Sequence, residues 1–192
     1  MKTILLDNIL SEKELFFIYK QLISTRGWAV NGVSNVFGLN NPNAYQNLPM
    51  FHVLDGDDVS NYPMYLYGQT LVYRIAKILE DKKIGMHTHL SRMWFNMTPI
   101  GYKHHLHVDH SNEFQSIVMF MSPVWESSWR GSFYVDGEEF KFKPGSAVIF
   151  DSSEYHMGEE PSSASMNWSR LSCNMIVEKK LSANTTFINP GD

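Results

Sequence analysis

Residues 143–156, KPGSAVIFDSSEYH, carry the pattern that decides the predicted fold. Pro144-Gly145 is a turn signal, and the apolar run at 146–150 behind it is typical of a buried strand. His156 follows this strand after a short polar link. The stretch therefore predicts a tight turn, a core strand and an imidazole placed just beyond the strand's end.

Further short strands are predicted on both sides of this stretch. Asp136-Gly137 is a strong hairpin signal between two apolar-rich runs. The predicted strands are 92–97, 104–109, 114–121, 132–135, 139–142 and 167–177. Two helices followed by many short antiparallel strands indicate an α+β, mainly β fold: a jelly-roll barrel with the N-terminal helices packed on one face.

The N-terminal third is expected to be helical and looped. Ser11 and Glu14 form a capping box, apolar residues follow at helical spacing, and Gly27 is predicted to end this helix. A second helix is predicted over 63–81. Residues 31–61 are rich in Asn, Gly and Asp and are interpreted as a loop that is a lid or contains short strands.

Length and composition limit the function classes. The chain has 192 residues, enough for one domain, which we expect to consist of helical support (1–90), a β core (91–178) and a tail (179–192). The net charge of -4 argues against a nucleic-acid partner, and no apolar run approaches a membrane span. The single cysteine excludes an internal disulfide and indicates a cytoplasmic protein. The oligomeric state is not predictable from these features.

Three residues suggest a metal site. His107 and Asp109 are two positions apart, so on a strand they share one face. His156 comes from a distant strand end. Two imidazoles and one carboxylate are the ligand set of non-haem Fe(II) oxygenases, which leaves coordination positions open. Alone, His107 would be interpreted as a partly buried histidine and Asp109 as a turn residue.

A second indication comes from Arg170 on the last strand. Alternation places Arg170, Ser172 and Asn174 on one face. A buried guanidinium needs an anion, and its fork matches a carboxylate. Without the metal site, a surface arginine paired with Glu159 or Glu178 would be preferred. With the metal site, a carboxylate clamp is preferred.

These motifs resemble the 2-oxoglutarate- and Fe(II)-dependent dioxygenases, more narrowly their prolyl-4-hydroxylase-like branch. The resemblance covers about residues 92–178. The matching pieces are His107-Val108-Asp109, Trp129-Arg130-Gly131-Ser132-Phe133, the stretch 143–150, Tyr155-His156 and Arg170-Leu171-Ser172. Members of the family commonly have a Gly-Gly-x-Leu-like stretch where this chain has Gly131-Ser132-Phe133. This difference lies on a predicted hairpin and does not affect the three expected metal ligands.

The resemblance implies a double-stranded β-helix and a hydroxylase that uses Fe(II), 2-oxoglutarate and O2. It implies that His107, Asp109 and His156 hold the metal, and that Arg170 with Ser172 holds the co-substrate. The family also uses a polar residue before the His-x-Asp motif, for which Asn96 and Tyr102 are candidates. The implied substrate is a peptide, with proline favoured, or a small molecule.

Two other interpretations stay open at this point. One is a cupin-type metalloprotein with His105, His107 and Glu113 as ligands, although the spacing to Glu113 is one position too long for that family. The other is a non-catalytic binding barrel in which the His and Asp residues have ordinary roles. Metal binding and 2-oxoglutarate turnover distinguish the three.

Overall fold

The computed structural model describes residues 2–25, 28–30, 49–55, 57–102, 104–165 and 167–178. Two helices lie in the N-terminal part: α1 (Glu12–Ser24) and α2 (Tyr62–Asp81). The strands are β1 (Ile4–Leu6), β2 (Ala29–Val30), β3 (Pro49–Asp55), β4 (Asp58–Val59), β5 (His89–Thr98), β6 (Phe114–Phe120), β7 (Phe133–Val135), β8 (Glu138–Phe140), β9 (Ala147–Asp151), β10 (His156–Gly158) and β11 (Arg170–Glu178).

The strands form two antiparallel sheets. The larger has the order β1-β9-β6-β11-β5-β3-β2, with β4 paired to β3, and the smaller has the order β10-β7-β8. Strands distant in sequence are neighbours, since β11 lies between β5 and β6. The predicted mainly β fold is confirmed, with the two sheets of a double-stranded β-helix and the helices beside the larger one.

Alternation along the central strands gives the large sheet two different faces. On β11, Leu171, Cys173, Met175 and Val177 belong to the core cluster that also contains the buried residues of α1 and α2. The intervening Arg170, Ser172 and Asn174 line a cavity on the other face. The predicted division of this strand is therefore confirmed, and Cys173 is a buried free thiol on the helix side.

A second apolar cluster fills the space between the two sheets. It contains Val118, Phe120, Phe133, Val135, Phe140, Phe142, Val148 and Phe150. These residues come from β6 and β9 of the large sheet and from the hairpin region of the small one. Two of its members, Val118 and Phe133, also line the polar cavity, so the cluster packs directly beside that cavity.

The helix caps follow the sequence signals. Ser11 caps α1, its hydroxyl accepting from the Glu14 N–H while the Glu14 carboxylate accepts from the Ser11 N–H. Asn61 caps α2 by accepting from the N–H of Met64. The helix α1 ends at Ser24, before the predicted Gly27, which lies outside the described residues. Within the described part of the chain, neither helix is long and apolar enough to cross a membrane.

One predicted strand is wrong, one predicted alternative is observed, and strands that were not predicted precede residue 91. Residues 104–109 are not a strand, because only His107 forms a bridge, with His156. The predicted loop over 31–61 contains β3 and β4, while 31–48 lies outside the described residues. The unpredicted β1 pairs with β9, so the segment before residue 91 also contributes strands to the large sheet. The three residues of β1 are too few to show the alternation of apolar and polar residues that predicts a strand.

Candidate active site

The segment that carries His107 and Asp109 is fixed by backbone hydrogen bonds although it is irregular. His107 N–H donates to the carbonyl of His156 at 3.1 Å, and His156 N–H donates back at 2.8 Å. Asp109 N–H donates to the carbonyl of Ser152 at 3.0 Å. The short segment is thus attached to the end of β9 and the start of β10, which brings the predicted ligands together.

The three side chains offer their ligand atoms to one common point. One atom from each of His107, Asp109 and His156 lies within 4.8 Å of the others. The Asp109 Oδ1 atom is 3.7 Å from His107 Nε2 and 3.4 Å from His156 Nε2. Among the described residues, this is the single cluster of at least three His, Cys, Asp or Glu side chains with such geometry.

The histidine tautomers suit metal binding. Nδ1 of His107 lies 2.8 Å from the carbonyl oxygen of His105, and Nδ1 of His156 lies 3.0 Å from that of Glu154. A carbonyl oxygen only accepts, so each Nδ1 carries the hydrogen and each Nε2 presents a lone pair. Such a partner on the other ring nitrogen is typical of histidine ligands.

Electrostatics keep the carboxylate ionised. Burial alone would raise the pKa of Asp109, but the neighbouring His156, His107 and the Ser116 hydroxyl lower that pKa to about 2. Burial and the nearby His156 lower the pKa of His107. Burial opposes the charged form of His156 as well, but Asp109 outweighs it and raises the pKa of this imidazole. The site therefore contains one carboxylate anion facing two histidine rings.

Arg170 reaches the same cavity from β11. Its Nε atom donates to the carbonyl of Gly131 at 2.8 Å, and Nη1 lies 3.4 Å from the hydroxyl of Thr98. Nη2 is buried and has no hydrogen-bond partner in the described part of the protein. Burial lowers the pKa of Arg170 to about 10, so the guanidinium stays charged at neutral pH. A buried cation with one free donor is suited to binding an anion.

Other predicted residues differ in their relation to this cavity. Ser172 and Asn96 line it, and the buried Oδ1 of Asn96 has no partner among the described residues. Tyr102 does not line it but packs in a small cluster with Trp94 and Ile176. The complete lining is Trp94, Asn96, His104, His107, Asp109, Val118, Phe133, His156, Gly158, Arg170, Ser172 and Asn174.

His104 is a site residue that sequence reasoning missed, although this histidine lines the cavity together with Arg170. Its Nε2 atom lies 3.3 Å from the hydroxyl of Thr98, the same hydroxyl that Arg170 contacts. Burial and the charge of Arg170 lower the pKa of His104 to about 3, so this imidazole is neutral. No sequence signal could have found it, since its position depends on the irregular path of 104–109.

A turn behind Arg170 holds the acceptor of its Nε atom. Arg130 and Gly131 both have positive φ, at 59° and 85°. The Glu159 carboxylate accepts from Arg130 Nε at 2.8 Å and from the Ser132 N–H at 3.1 Å. Glu159 thus pairs with Arg130 and the turn rather than with Arg170, contrary to the surface-arginine alternative.

Comparisons with known proteins establish the fold. No protein-family model and no curated protein matches the chain by sequence. Solved structures do match. A 2OG-Fe(II) oxygenase family oxidoreductase from Burkholderia pseudomallei superposes with a TM-score of 0.65 and 15% identity, covering 95% of this chain and 88% of that chain.

Two further structures are complexes with partners of different kinds. A Trichoplax adhaerens prolyl hydroxylase, in complex with a hypoxia inducible factor oxygen degradation domain peptide, matches with a TM-score of 0.60 and 14% identity, covering 92% of this chain and 84% of that chain. NgTET1 in complex with 5mC DNA matches with a TM-score of 0.56 and 12% identity, covering 92% of this chain and 71% of that chain. These likenesses show the fold that the sequence resemblance implied.

Proposed function

We propose that this protein is an Fe(II)- and 2-oxoglutarate-dependent hydroxylase. One observation supports it above all: the metal-type cluster and a buried arginine with a free donor face the same cavity. The cupin alternative lacks this support, since Glu113 is exposed and outside the cluster. A non-catalytic barrel gives no reason to bury a cation without an anion beside it.

The donor set fits ferrous iron. His107, Asp109 and His156 supply two neutral nitrogen ligands and one anionic oxygen ligand, a combination that suits this ion and leaves positions free for other ligands. The backbone carbonyls of His105 and Glu154 fix the two ring tautomers. The residues are therefore ready to bind the metal through Nε2, Oδ1 and Nε2.

The opposite side of the cavity fits the distal carboxylate of 2-oxoglutarate. Arg170 Nη2 is a charged donor that lacks a partner among the described side chains. Ser172, two residues along the same strand face, adds a hydroxyl beside it. A charge-assisted hydrogen bond to a carboxylate would satisfy Nη2 and offset the cost of burying the guanidinium.

Iron with 2-oxoglutarate and O2 supplies the oxidising power: one oxygen atom enters a C–H bond of the substrate and the other enters succinate, with release of carbon dioxide. The chain's own residues bind and orient these groups. Arg170 holds one end of the co-substrate, and the metal ligands are little exposed to water, with 4% of the His156 side chain and 10% of the Asp109 side chain accessible. Phe133 and Phe150 pack against the His156 ring and fix its plane.

For the substrate we propose a peptidyl side chain, with proline favoured. The sequence resemblance to the prolyl-hydroxylase-like branch supports this choice, and one structural neighbour holds a peptide. The net charge of -4 makes a nucleic acid the less suitable partner. We further propose that the chain is a single domain and works in the cytoplasm, where its lone buried Cys173 stays reduced.

The test is an anaerobic titration of the protein with Fe(II) and 2-oxoglutarate, followed through the weak visible charge-transfer band of the ternary complex. We expect a band in the wild type, a weaker one in Arg170→Ala and none in His156→Ala. Succinate formation under air is then measured on the same proteins. It should disappear in His107→Ala and Asp109→Ala.

Glu113→Ala is the matched control, because this exposed carboxylate is a ligand only under the cupin alternative. It should retain both the band and turnover. Iron binding that is lost in Glu113→Ala, without any 2-oxoglutarate band in the wild type, would support the cupin alternative. Absence of iron binding in the wild type would support the non-catalytic barrel. Either result would overturn the proposal.

A further inference from the structure

Gly158 lies at the point where three chain segments converge. A Cβ atom added there would lie 3.2 Å from His104 Nε2 and 3.3 Å from Arg170 Nη2. Its φ lies outside the left-handed region, so backbone conformation does not require a glycine. A glycine inside a strand that is not needed for conformation often marks the close approach of a ligand or another group.

The open space at Gly158 coincides with the approach to the free donor of Arg170. A carboxylate oxygen bonded to Nη2 would lie roughly 2.7–2.9 Å from it. A methyl group at 3.3 Å from the same atom would occupy this approach. Without a Cβ at Gly158, both this approach and the contact with the His104 imidazole stay free of a methyl group.

His104 closes the cavity on this side. Its ring is held by Thr98, which also contacts Arg170 Nη1, and by an edge-on contact with Tyr102 at 4.7 Å between ring centroids. With these partners the imidazole has a defined position. The imidazole is therefore a fixed part of the cavity wall beside the Arg170 guanidinium.

We propose that His104 and Gly158 determine the length of the dicarboxylic keto acid that the pocket accepts. Gly158 leaves space for the distal carboxylate at Arg170, and His104 blocks a chain that is one methylene longer. The inference rests on the proposed function, since it presumes a keto acid bound through the metal and Arg170. It assigns His104 a role in selecting the co-substrate.

The experiment measures binding by calorimetry, without turnover, on the Mn(II)-loaded protein. The probes are 2-oxoglutarate and 2-oxoadipate, which has one additional methylene. Gly158→Ala should weaken 2-oxoglutarate binding at least about tenfold, the size expected for losing one hydrogen bond to a charged group. His104→Ala should shift the ratio of the two dissociation constants about tenfold or more toward 2-oxoadipate, as expected for one methylene.

Gly85→Ala is the matched control, because a Cβ there meets nothing within 4 Å. It should bind both keto acids like the wild type, and circular dichroism should show that all variants are folded. An unchanged dissociation constant in folded Gly158→Ala, or an unchanged ratio in His104→Ala, would overturn this inference alone. If Gly158→Ala does not fold, the ratio of the two dissociation constants in His104→Ala alone decides whether the inference holds. If the wild type with Mn(II) does not bind 2-oxoglutarate, the proposed function itself fails.

Discussion

The Ser116 hydroxyl donates to Asp109 Oδ2 at 2.8 Å, and this contact turns the other carboxylate oxygen toward the histidines. Ser116 lies on β6 and its hydroxyl is also 2.9 Å from that of Ser152. The orientation of the only acidic ligand is thus fixed by a strand that supplies no ligand itself. Partners of this kind orient the ligand atoms, and their loss typically weakens metal binding.

Ser116→Ala should therefore weaken Mn(II) binding by about tenfold to a hundredfold without unfolding the barrel. The loss of the hydroxyl frees Asp109 to rotate and removes one of the contacts that lower its pKa. Ser153→Ala, which removes an exposed hydroxyl bonded to Asp151, is the control and should bind Mn(II) normally. Equal Mn(II) affinity in Ser116→Ala and the wild type would contradict the role given to Ser116.

Glu159→Ala should reduce 2-oxoglutarate affinity by about threefold to tenfold, since one positioning hydrogen bond is worth about 1 kcal/mol. Glu159 holds the turn whose Gly131 carbonyl accepts from Arg170. Mn(II) affinity should change much less, because no hydrogen bond in the described part of the chain joins residues 130–132 to a metal ligand. Glu160→Ala is the neighbouring control. A loss of Mn(II) affinity as large as the loss of 2-oxoglutarate affinity would contradict this role of Glu159, because it would indicate that the whole site has become less ordered.

His104 should make the protein less stable in acid. Its pKa is about 3 in the folded protein and near 6.5 in the unfolded chain, so between these values only the unfolded state takes up the proton. Stability is complete above the unfolded pKa and falls below it, by up to about 1.4 kcal/mol per pH unit from this group. Between pH 7.5 and 5, the free energy of unfolding in urea should fall less steeply for His104→Gln than for the wild type. If the free energies of both proteins fall equally with pH, the lowered pKa of His104 is refuted.

Gly145→Ala should destabilise the fold more than Gly137→Ala. Both glycines have positive φ, near 80°, which costs another residue about 1–2 kcal/mol. An added Cβ at Gly137 meets nothing within 4 Å, whereas at Gly145 it would lie 2.7 Å from the carbonyl oxygen of Leu10. We expect a further loss of about 1–3 kcal/mol at Gly145, measured by chemical unfolding. Equal losses would show that backbone conformation alone requires Gly145.

Periodic stretches and local signals made much of this architecture predictable. The second helix is observed over Tyr62–Asp81, the Ser11 capping box is formed, and the faces of β11 alternate as expected. The turn before β9 and the hairpin at Asp136-Gly137 are also present. In each case the determining interactions lie within a few residues of one another.

The failures share a different cause. His107 does not belong to a regular strand, because its bridge to the distant His156 is isolated and does not continue along the chain. The contribution of His104 and Gly158 to the cavity depends on the same long-range contact. Such features arise from tertiary contacts that leave no local pattern.

The buried thiol of Cys173 provides a native reporter of opening. Burial raises its pKa, and the side chain belongs to the core cluster between the large sheet and the two helices, so a thiol reagent reaches the sulfur only when this packing opens. Arg170 lies on the same strand three residues before. The labelling rate of one cysteine, followed by mass spectrometry, would thus report how often the helix side of the co-substrate strand is uncovered. Ligands that fasten Arg170 should slow that labelling.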